Sequence, residues 1–319
     1  YKLYYVKKRN KHQKGTSMKK RTMKSLLAGF LTAAVLATTL ADFVPVQAKI
    51  KTGAAETLEA LGVIDAAGEE DTGSDLPDIE ETDEASTYAA SNGDLVVAID
   101  AGHGGSDAGA TYDGMQEKTV NLKIAKYIKA YLEEYAGVQV YMTRSTDTYL
   151  DLSERVSRSV ANNADVFISI HNNASSNLET SGSMVFYPND SYRPKLSAEG
   201  SGLSGAILEK LTALGLPDLG IRTRNSESGN TYSDGSIADY YGVIRNAKLQ
   251  GITGIIVEHA FVSCESDRKN YLGTDAQLKK LAKADVEGIA EYYDLVYNGL
   301  VEPAVTLSAP SYKELSVTW

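Results

Sequence analysis

The 319-residue sequence contains one cysteine, one tryptophan, four histidines and seven prolines. The single cysteine, Cys264, rules out an intrachain disulfide, so the fold must depend on a packed core or on a bound metal. We expect Cys264 to be a small packing residue rather than a nucleophile. The net charge of −10 argues against sequence-independent binding of nucleic acid, which requires a basic surface.

Basic residues are concentrated at the beginning of the chain. The first 25 residues contain ten Lys or Arg and no acid, and "SLLAGFLTAAVLATTLADFVPVQA" follows over residues 25–48. A cationic region, an apolar core and a Val-Gln-Ala ending predict a signal peptide over residues 1–48, cleaved after Ala48. The alternative is a membrane anchor, but residues 26–41 are shorter than the roughly 20 apolar residues that a span needs. We therefore expect a secreted or cell-wall protein with no stable membrane span after cleavage.

Residues 49–93 are acidic, with twelve Asp or Glu and no Lys or Arg between positions 56 and 84. They predict a flexible spacer, in which "AAETLEALGVI" could form a short helix that packs on another part of the protein. Residues 299–319, "VEPAVTLSAPSYKELSVTW", are a linker with two open interpretations. They are either a disordered tail or the first strands of a truncated module that resembles fibronectin type III.

The remaining segment, residues 94–298, alternates between strand and helix patterns. "DLVVAID", "VQVYMTR", "ADVFISIH", "GSMVFYP" and "ITGIIVEHAF" predict strands, most of them buried. Between them, "EKTVNLKIAKYIKAYLEEY" has Val120, Ile124, Ile128 and Leu132 on one helical stripe. Helices are also predicted for "LDLSERVSRSVANN", "AEGSGLSGAILEKLTALGL" and "DAQLKKLAKADVEGIAEYYDLVYNG", and a polar loop for residues 219–236. This order predicts an α/β fold with a mostly parallel central sheet flanked by helices.

Four ionisable residues lie where the predicted strands end or a helix begins. His103 follows "VVAID" in a glycine-rich loop, His171 follows "VFISI", Glu258 follows "GIIV", and Glu117 begins the first helix. Because ligands bind beyond the carboxyl ends of the strands in open α/β sheets, all four can meet at one edge. The glycines around His103 permit a sharp turn that leaves the imidazole accessible.

Two imidazoles and one carboxylate form a zinc site with a position left for water, and a second carboxylate can act as the base. Each residue also has an ordinary interpretation. A loop histidine can simply be solvated, and Glu117 can be a helix-start acid favoured by the dipole. Glu258 is harder to explain in this way, because an unpaired carboxylate in a central strand costs several kcal/mol. The spacing alone leaves both interpretations open, since no short zinc motif is present.

Residues 95–294 resemble the amidase type 3 family, the zinc-dependent N-acetylmuramoyl-L-alanine amidases. The matching segments are "IDAGHGGSDAGA", Glu117 before "NLKIAKYI", "TRSTD", "LSERVSRSVANNADVFISIHNNAS" and "YYGVIRNAKLQGITGIIVEHAFVSCESD". The resemblance implies that His103, Glu117 and His171 hold one Zn²⁺ and that Glu258 is catalytic. It also implies that Asn173 contacts the substrate or supports the site, and that Arg245 has a related but undefined role. The sequence departs from the family at His259, which strand alternation directs away from Glu258, and at Cys264.

The resemblance implies hydrolysis of the amide between N-acetylmuramic acid and L-alanine in peptidoglycan, with Glu258 as the base for a zinc-activated water. The expected partner is therefore peptidoglycan, acted on by a monomer. Two alternatives remain open. One is an inactive module that binds peptidoglycan through the same groove, and the other is a zinc peptidase that cuts within the stem peptide.

Overall fold

A computed structural model describes residues 58–64 and 94–298 of the chain. The predicted signal peptide, most of the acidic spacer and the C-terminal linker lie outside these residues. No helix among the described residues is long and apolar enough to span a membrane.

The described part contains nine strands and five helices of eight residues or more. The strands are β1 (Val63–Ile64), β2 (Leu95–Ala101), β3 (Thr111–Tyr112), β4 (Met115–Gln116), β5 (Val138–Met142), β6 (Val166–Ser175), β7 (Ser183–Phe186), β8 (Asp218–Arg222) and β9 (Thr253–Phe261). The helices are α1 (Glu117–Leu132), α2 (Leu152–Ala161), α3 (Pro194–Ala213), α4 (Gly242–Leu249) and α5 (Asp275–Tyr292). A short α-helical turn (Glu265–Asp267) and a π-helical turn (Arg268–Leu272) precede α5.

Six strands form the main sheet in the order β5-β2-β6-β9-β7-β8. Neighbours are parallel except for β7, which runs antiparallel to β9. The centre of the sheet, β6 and β9, is buried at every position because helices cover both faces. The predicted α/β fold with a mostly parallel sheet is confirmed.

Helices α1, α3 and α5 pack on one face of the sheet, and α2 and α4 pack on the other. The predicted stripe of α1 is buried in the first of these cores, together with the alternate strand residues that face it. Its members are Val120, Ile124, Ile128 and Leu132. Cys264 is buried in the second core, as expected for a packing residue.

Three local predictions are wrong or incomplete. The predicted loop over residues 219–236 begins within β8, which pairs with β7 at the sheet edge. An edge strand is paired on one side only and stays partly exposed, so it lacks the apolar run of a buried strand. Helix α4 is absent from the prediction. Its eight residues are too few for a helical pattern of apolar residues to be told apart from that of a loop. Residues 58–64 form a turn followed by β1 rather than a helix.

The β1 segment takes its conformation from contacts with β6. It pairs antiparallel with the end of β6, at Ser175 and Ala174. The carbonyl oxygen of Leu61 accepts hydrogen bonds from Ser175 Oγ (2.8 Å) and Thr180 Oγ1 (3.1 Å). Gly62 adopts a positive φ of 60° at the turn. Tertiary pairing therefore overrides the weak helical tendency of this short stretch.

Candidate metal centre

The three predicted metal ligands meet beyond the carboxyl end of β2 and beside the C-terminal half of β6. His103 lies two residues after β2, Glu117 is the first residue of α1, and His171 lies within β6. The two strands are parallel neighbours with Ala101 beside Ile170, so His171 lies level with the point where β2 ends and the His103 loop begins. Residues that are 14 to 68 positions apart in the chain thus become neighbours.

The donor atoms of this set are close enough to share one ion. Oε2 of Glu117 lies 3.1 Å from Nε2 of His103, and Oε1 of Glu117 lies 3.1 Å from Nδ1 of His171. One donor atom from each residue falls within 4.8 Å of the others. All three residues are buried or nearly so, and Nε2 of His103 makes no hydrogen bond within the described part of the chain. Two nitrogen donors and one carboxylate in this arrangement suit a divalent transition metal such as zinc.

Two glycines make room for the ligands. A Cβ at Gly102 would lie 2.2 Å from Cε1 and Nε2 of the His171 ring. A Cβ at Gly109 would lie 2.5 Å from Glu117 Oε2 and 2.7 Å from His103 Cδ2, and its φ of 61° also favours glycine. The glycine-rich loop is therefore required for close approach of the backbone to the site as well as for its turn.

The Glu117 carboxylate is held by several donors besides the histidines. It accepts hydrogen bonds from the backbone N–H groups of Ala110 (3.0 Å) and Asn172 (3.1 Å) and from Nδ2 of Asn121 (3.0 Å). Burial raises the pKa of this carboxyl group, but the charge and close contact of His103 and the hydrogen bond with His171 outweigh burial and lower it. Glu117 therefore stays ionised and fixed in position.

The two histidines differ in their electrostatic surroundings. Burial lowers the pKa of His103, but the charge of Glu117 and a 2.7 Å hydrogen bond between Nδ1 and Asp107 outweigh it and raise the pKa to about 10. Burial lowers the pKa of His171, so that imidazole is neutral. Asp107 orients the His103 ring so that Nε2 faces Glu117, an arrangement common around metal-binding imidazoles.

Glu258 lies beside the ligand set. It is paired in register with His171 on the neighbouring strand, so their Cα atoms are about 4.8 Å apart and both side chains project from the same face of the sheet. The residue is 1% exposed. His259 follows it and projects from the opposite face, as the alternation of the strand predicts.

A cavity of about 370 Å³ opens next to the two histidines. Its wall includes the ligands His103 and His171, the acids Asp100 and Asp107, and Tyr149, which is 49% exposed. A substrate group can thus approach the metal centre from the side of α2 and α4.

Comparison with known proteins supports this arrangement. A family model described as N-acetylmuramoyl-L-alanine amidase matches residues 97–291. The chain belongs to this family. The match runs from β2 to the last turn of α5 and so includes all the residues that form the metal centre. The predicted family resemblance is therefore confirmed.

Individual relatives of the amidase family cover the same region. N-acetylmuramoyl-L-alanine amidase LytC of Bacillus subtilis is 34% identical over 198 residues, which are 62% of this chain and 35% of LytC. AmiA of Escherichia coli is 30% identical over 227 residues, covering 64% of this chain and 78% of AmiA. The catalytic domain of CwlV from Bacillus (Paenibacillus) polymyxa var. colistinus superposes with a TM-score of 0.50 at 29% identity. The superposition covers 63% of this chain and 98% of the CwlV domain. The chain thus spans about a third of the length of LytC.

The structure of this amidase domain adds supporting residues that sequence reasoning did not single out. Arg155 of α2 donates to Asp100 Oδ1 (2.9 Å), to the Ala101 carbonyl (2.9 Å) and to the His103 carbonyl (2.8 Å). Arg144 donates to the carbonyls of Ala101 (2.7 Å) and Gly102 (2.9 Å). Both guanidinium groups therefore hold the backbone that carries His103. These arginines lie in "TRSTD" and "LSERVS", two of the segments that resemble the amidase family. That resemblance is the only feature of the sequence that points to them.

The two remaining predicted residues occupy different places in the amidase domain. Asn173 is buried near Glu258, where its Nδ2 contacts Sδ of Met184 (3.7 Å), the residue paired with Glu258 on β7. Arg245 lies on α4, and its guanidinium donates to the carbonyls of Asp239 (3.0 Å) and Tyr240 (3.3 Å). Asn173 thus lies next to Glu258, and the guanidinium of Arg245 holds the loop that leads into α4.

Proposed function

We propose that the chain is a zinc-dependent amidase that hydrolyses the bond between N-acetylmuramic acid and L-alanine in peptidoglycan. The observation that carries this proposal is the convergence of His103, Glu117 and His171 within 4.8 Å, with Glu258 beside His171 on the next strand. The names of the family and of its relatives supply the substrate class.

One zinc ion held by His103, Glu117 and His171 would supply a Lewis acid that polarises the amide carbonyl and lowers the pKa of a water molecule. The carboxylate of Glu258 takes the proton from the attacking water. The same carboxyl group then returns the proton to the L-alanine nitrogen, which leaves as a free amine while the lactyl group gains a carboxylate. Asp107 keeps His103 oriented through the 2.7 Å contact with Nδ1.

The protein outside the amidase domain is proposed to deliver this activity to the wall. Residues 1–48 direct export, residues 49–93 are a spacer, residues 94–298 catalyse, and residues 299–319 are a linker. The basic start, the apolar run that ends in Val-Gln-Ala and the acidic stretch support this division. We expect the exported protein to act as a monomer on peptidoglycan.

The products of digestion test the proposed bond specificity. Purified peptidoglycan is incubated with the zinc-loaded protein, and new amino termini are labelled and identified. The proposal expects L-alanine as the new amino-terminal residue on intact stem peptides. Amino termini from within the stem peptide would instead identify a peptidase, and no new termini would identify an inactive binding module.

Glu258→Gln tests the assignment of the base. The amide is nearly isosteric with the carboxylate but cannot accept the proton, so activity should fall by about 10² to 10⁴-fold while zinc content stays at one per domain. The control is Glu179→Gln, because Glu179 is an exposed carboxylate in the loop after β6. Wild-type turnover by Glu258→Gln would refute the role of Glu258.

A further inference from the structure

His259 is a fully buried histidine that lies outside the metal set. It follows Glu258 on β9 but projects toward α5 on the other face of the sheet. Its Nδ1 lies 3.0 Å from the carbonyl oxygen of His171, and its Nε2 lies 2.7 Å from Oδ2 of Asp285 on α5. Both His259 and Asp285 are 0% exposed. One imidazole thus joins α5 to the backbone of a proposed metal ligand.

The direction of one hydrogen bond follows from chemistry. A carbonyl oxygen can only accept, so Nδ1 of His259 donates to the His171 carbonyl. Asp285 then fixes the orientation of the ring at its opposite nitrogen. This ring orientation keeps Nδ1 directed at the carbonyl oxygen of His171 on β6.

The contact lies where the pairing of the two strands is irregular. His171 pairs with Glu258 and Asn173 pairs with Phe261, so two steps on β6 match three steps on β9. His259 is in this bulge, where the regular ladder is interrupted. Its side chain supplies a link between the strands next to both His171 and Glu258.

We propose that His259 and Asp285 are positioning residues that hold the backbone of the ligand His171 beside Glu258. This inference rests on the proposed zinc site. A purely structural pair would stabilise the fold without changing how tightly the ligands hold zinc. A positioning pair affects zinc affinity specifically through the Nδ1 bond.

Substituting His259 by asparagine or by glutamine distinguishes the roles of its two ring nitrogens. In an Asp285→Asn background, which leaves no unpaired carboxylate, His259→Asn retains a donor near the position of Nδ1. His259→Gln instead places its amide near the position of Nε2 and loses the donor to the His171 carbonyl. The zinc dissociation constant of each full-length protein is measured by competition with a chromophoric chelator, and folding is checked by thermal unfolding.

The proposal expects about tenfold weaker zinc binding for His259→Gln and recovery of most of the affinity for His259→Asn. Asp285→Asn alone keeps the Nδ1 donor and should show an intermediate loss, which provides a test if a double variant fails to fold. The matched control is Asp267→Asn. Asp267 is also buried and accepts from the Phe261 N–H at the end of β9, so its loss should lower stability without changing zinc affinity.

Equal zinc affinities for the Gln and Asn variants would overturn the proposal, as would a loss in Asp267→Asn as large as in His259→Gln. If the wild-type protein bound no zinc, the proposed function would fail as well. Zinc binding by the wild type with no effect of His259→Gln would overturn only this inference.

Discussion

Gly102→Ala is expected to disable the metal centre by adding a single methyl group. The added Cβ would lie 2.2 Å from the His171 ring, whereas carbon atoms in contact are separated by about 3.5 Å. The ring must therefore withdraw by about 1.3 Å, which exceeds the roughly 0.5 Å tolerance of a functional site. Gly102 does not have a positive φ, so backbone strain does not contribute to the effect.

His171 has little room to adjust, because its strand is buried along its entire length and is paired on both sides. We expect overpacking to cost about 1–3 kcal/mol of stability. Displacement of one ligand by this distance should lower activity about 10²-fold and weaken zinc binding by at least tenfold.

The assay compares zinc content after dialysis against a weak chelator, zinc affinity by competition, and release of L-alanine amino termini. The control is Gly205→Ala within α3, where an added Cβ would meet nothing within 4 Å. That substitution should raise stability by about 1 kcal/mol through helix propensity and leave zinc binding unchanged. Wild-type zinc affinity in Gly102→Ala would show that the loop can move away, and it would refute the steric argument.

Two further predictions concern the charges around the site. Arg155→Leu should lower the free energy of unfolding, measured with denaturant, by about 3–5 kcal/mol, because it leaves Asp100 buried without its cation. Arg158 lies one turn away and is half exposed, so Arg158→Leu should lower the same free energy by less than about 1 kcal/mol. Similar losses in the two variants would contradict this reasoning. In the metal-free protein, Glu117 raises the pKa of His103 from 6.5 to about 10 despite burial, so the stability due to this proton is complete below about pH 6.5 and is lost as the pH rises toward 10. The free energy of unfolding of the metal-free protein, measured at a series of pH values, gives the size of this loss. His103→Gln lacks the titrating group, so its free energy of unfolding should fall less over the same pH range. An unchanged pH dependence in that variant would refute the assignment to His103.

The sequence was sufficient to predict the buried strands of the sheet and to place His103 and His171 at the same end of it. Buried strands such as β6 and β9 are continuous apolar runs, and the parallel order brings their carboxyl ends together. The proximity of His103 and His171 therefore follows from the sequence alone. Edge strand β8 and the short helix α4 escaped prediction because neither has a long apolar pattern.

The residues that support the site could not be assigned from sequence. Arg155 lies in a helix whose pattern indicates a solvated polar face, yet it is 2% exposed and contacts the His103 backbone. Asp285 likewise lies on an otherwise apolar face of α5, where its partner His259 is 26 residues away. Contacts of this kind depend on how helices are seated on the sheet, which local periodicity does not determine.

In the absence of a metal, the carboxylates around the proposed zinc site hold a proton on His103. Glu117 and Asp107 keep a proton on His103 up to about pH 10, while the buried His171 stays neutral. The charge of this proton balances that of the buried Glu117 carboxylate, 3.1 Å away. A zinc ion at the proposed site would displace this one proton, which predicts tighter binding as the pH rises and release of one proton on binding. Metal binding at this site is therefore expected to exchange one cation, the His103 proton, for another.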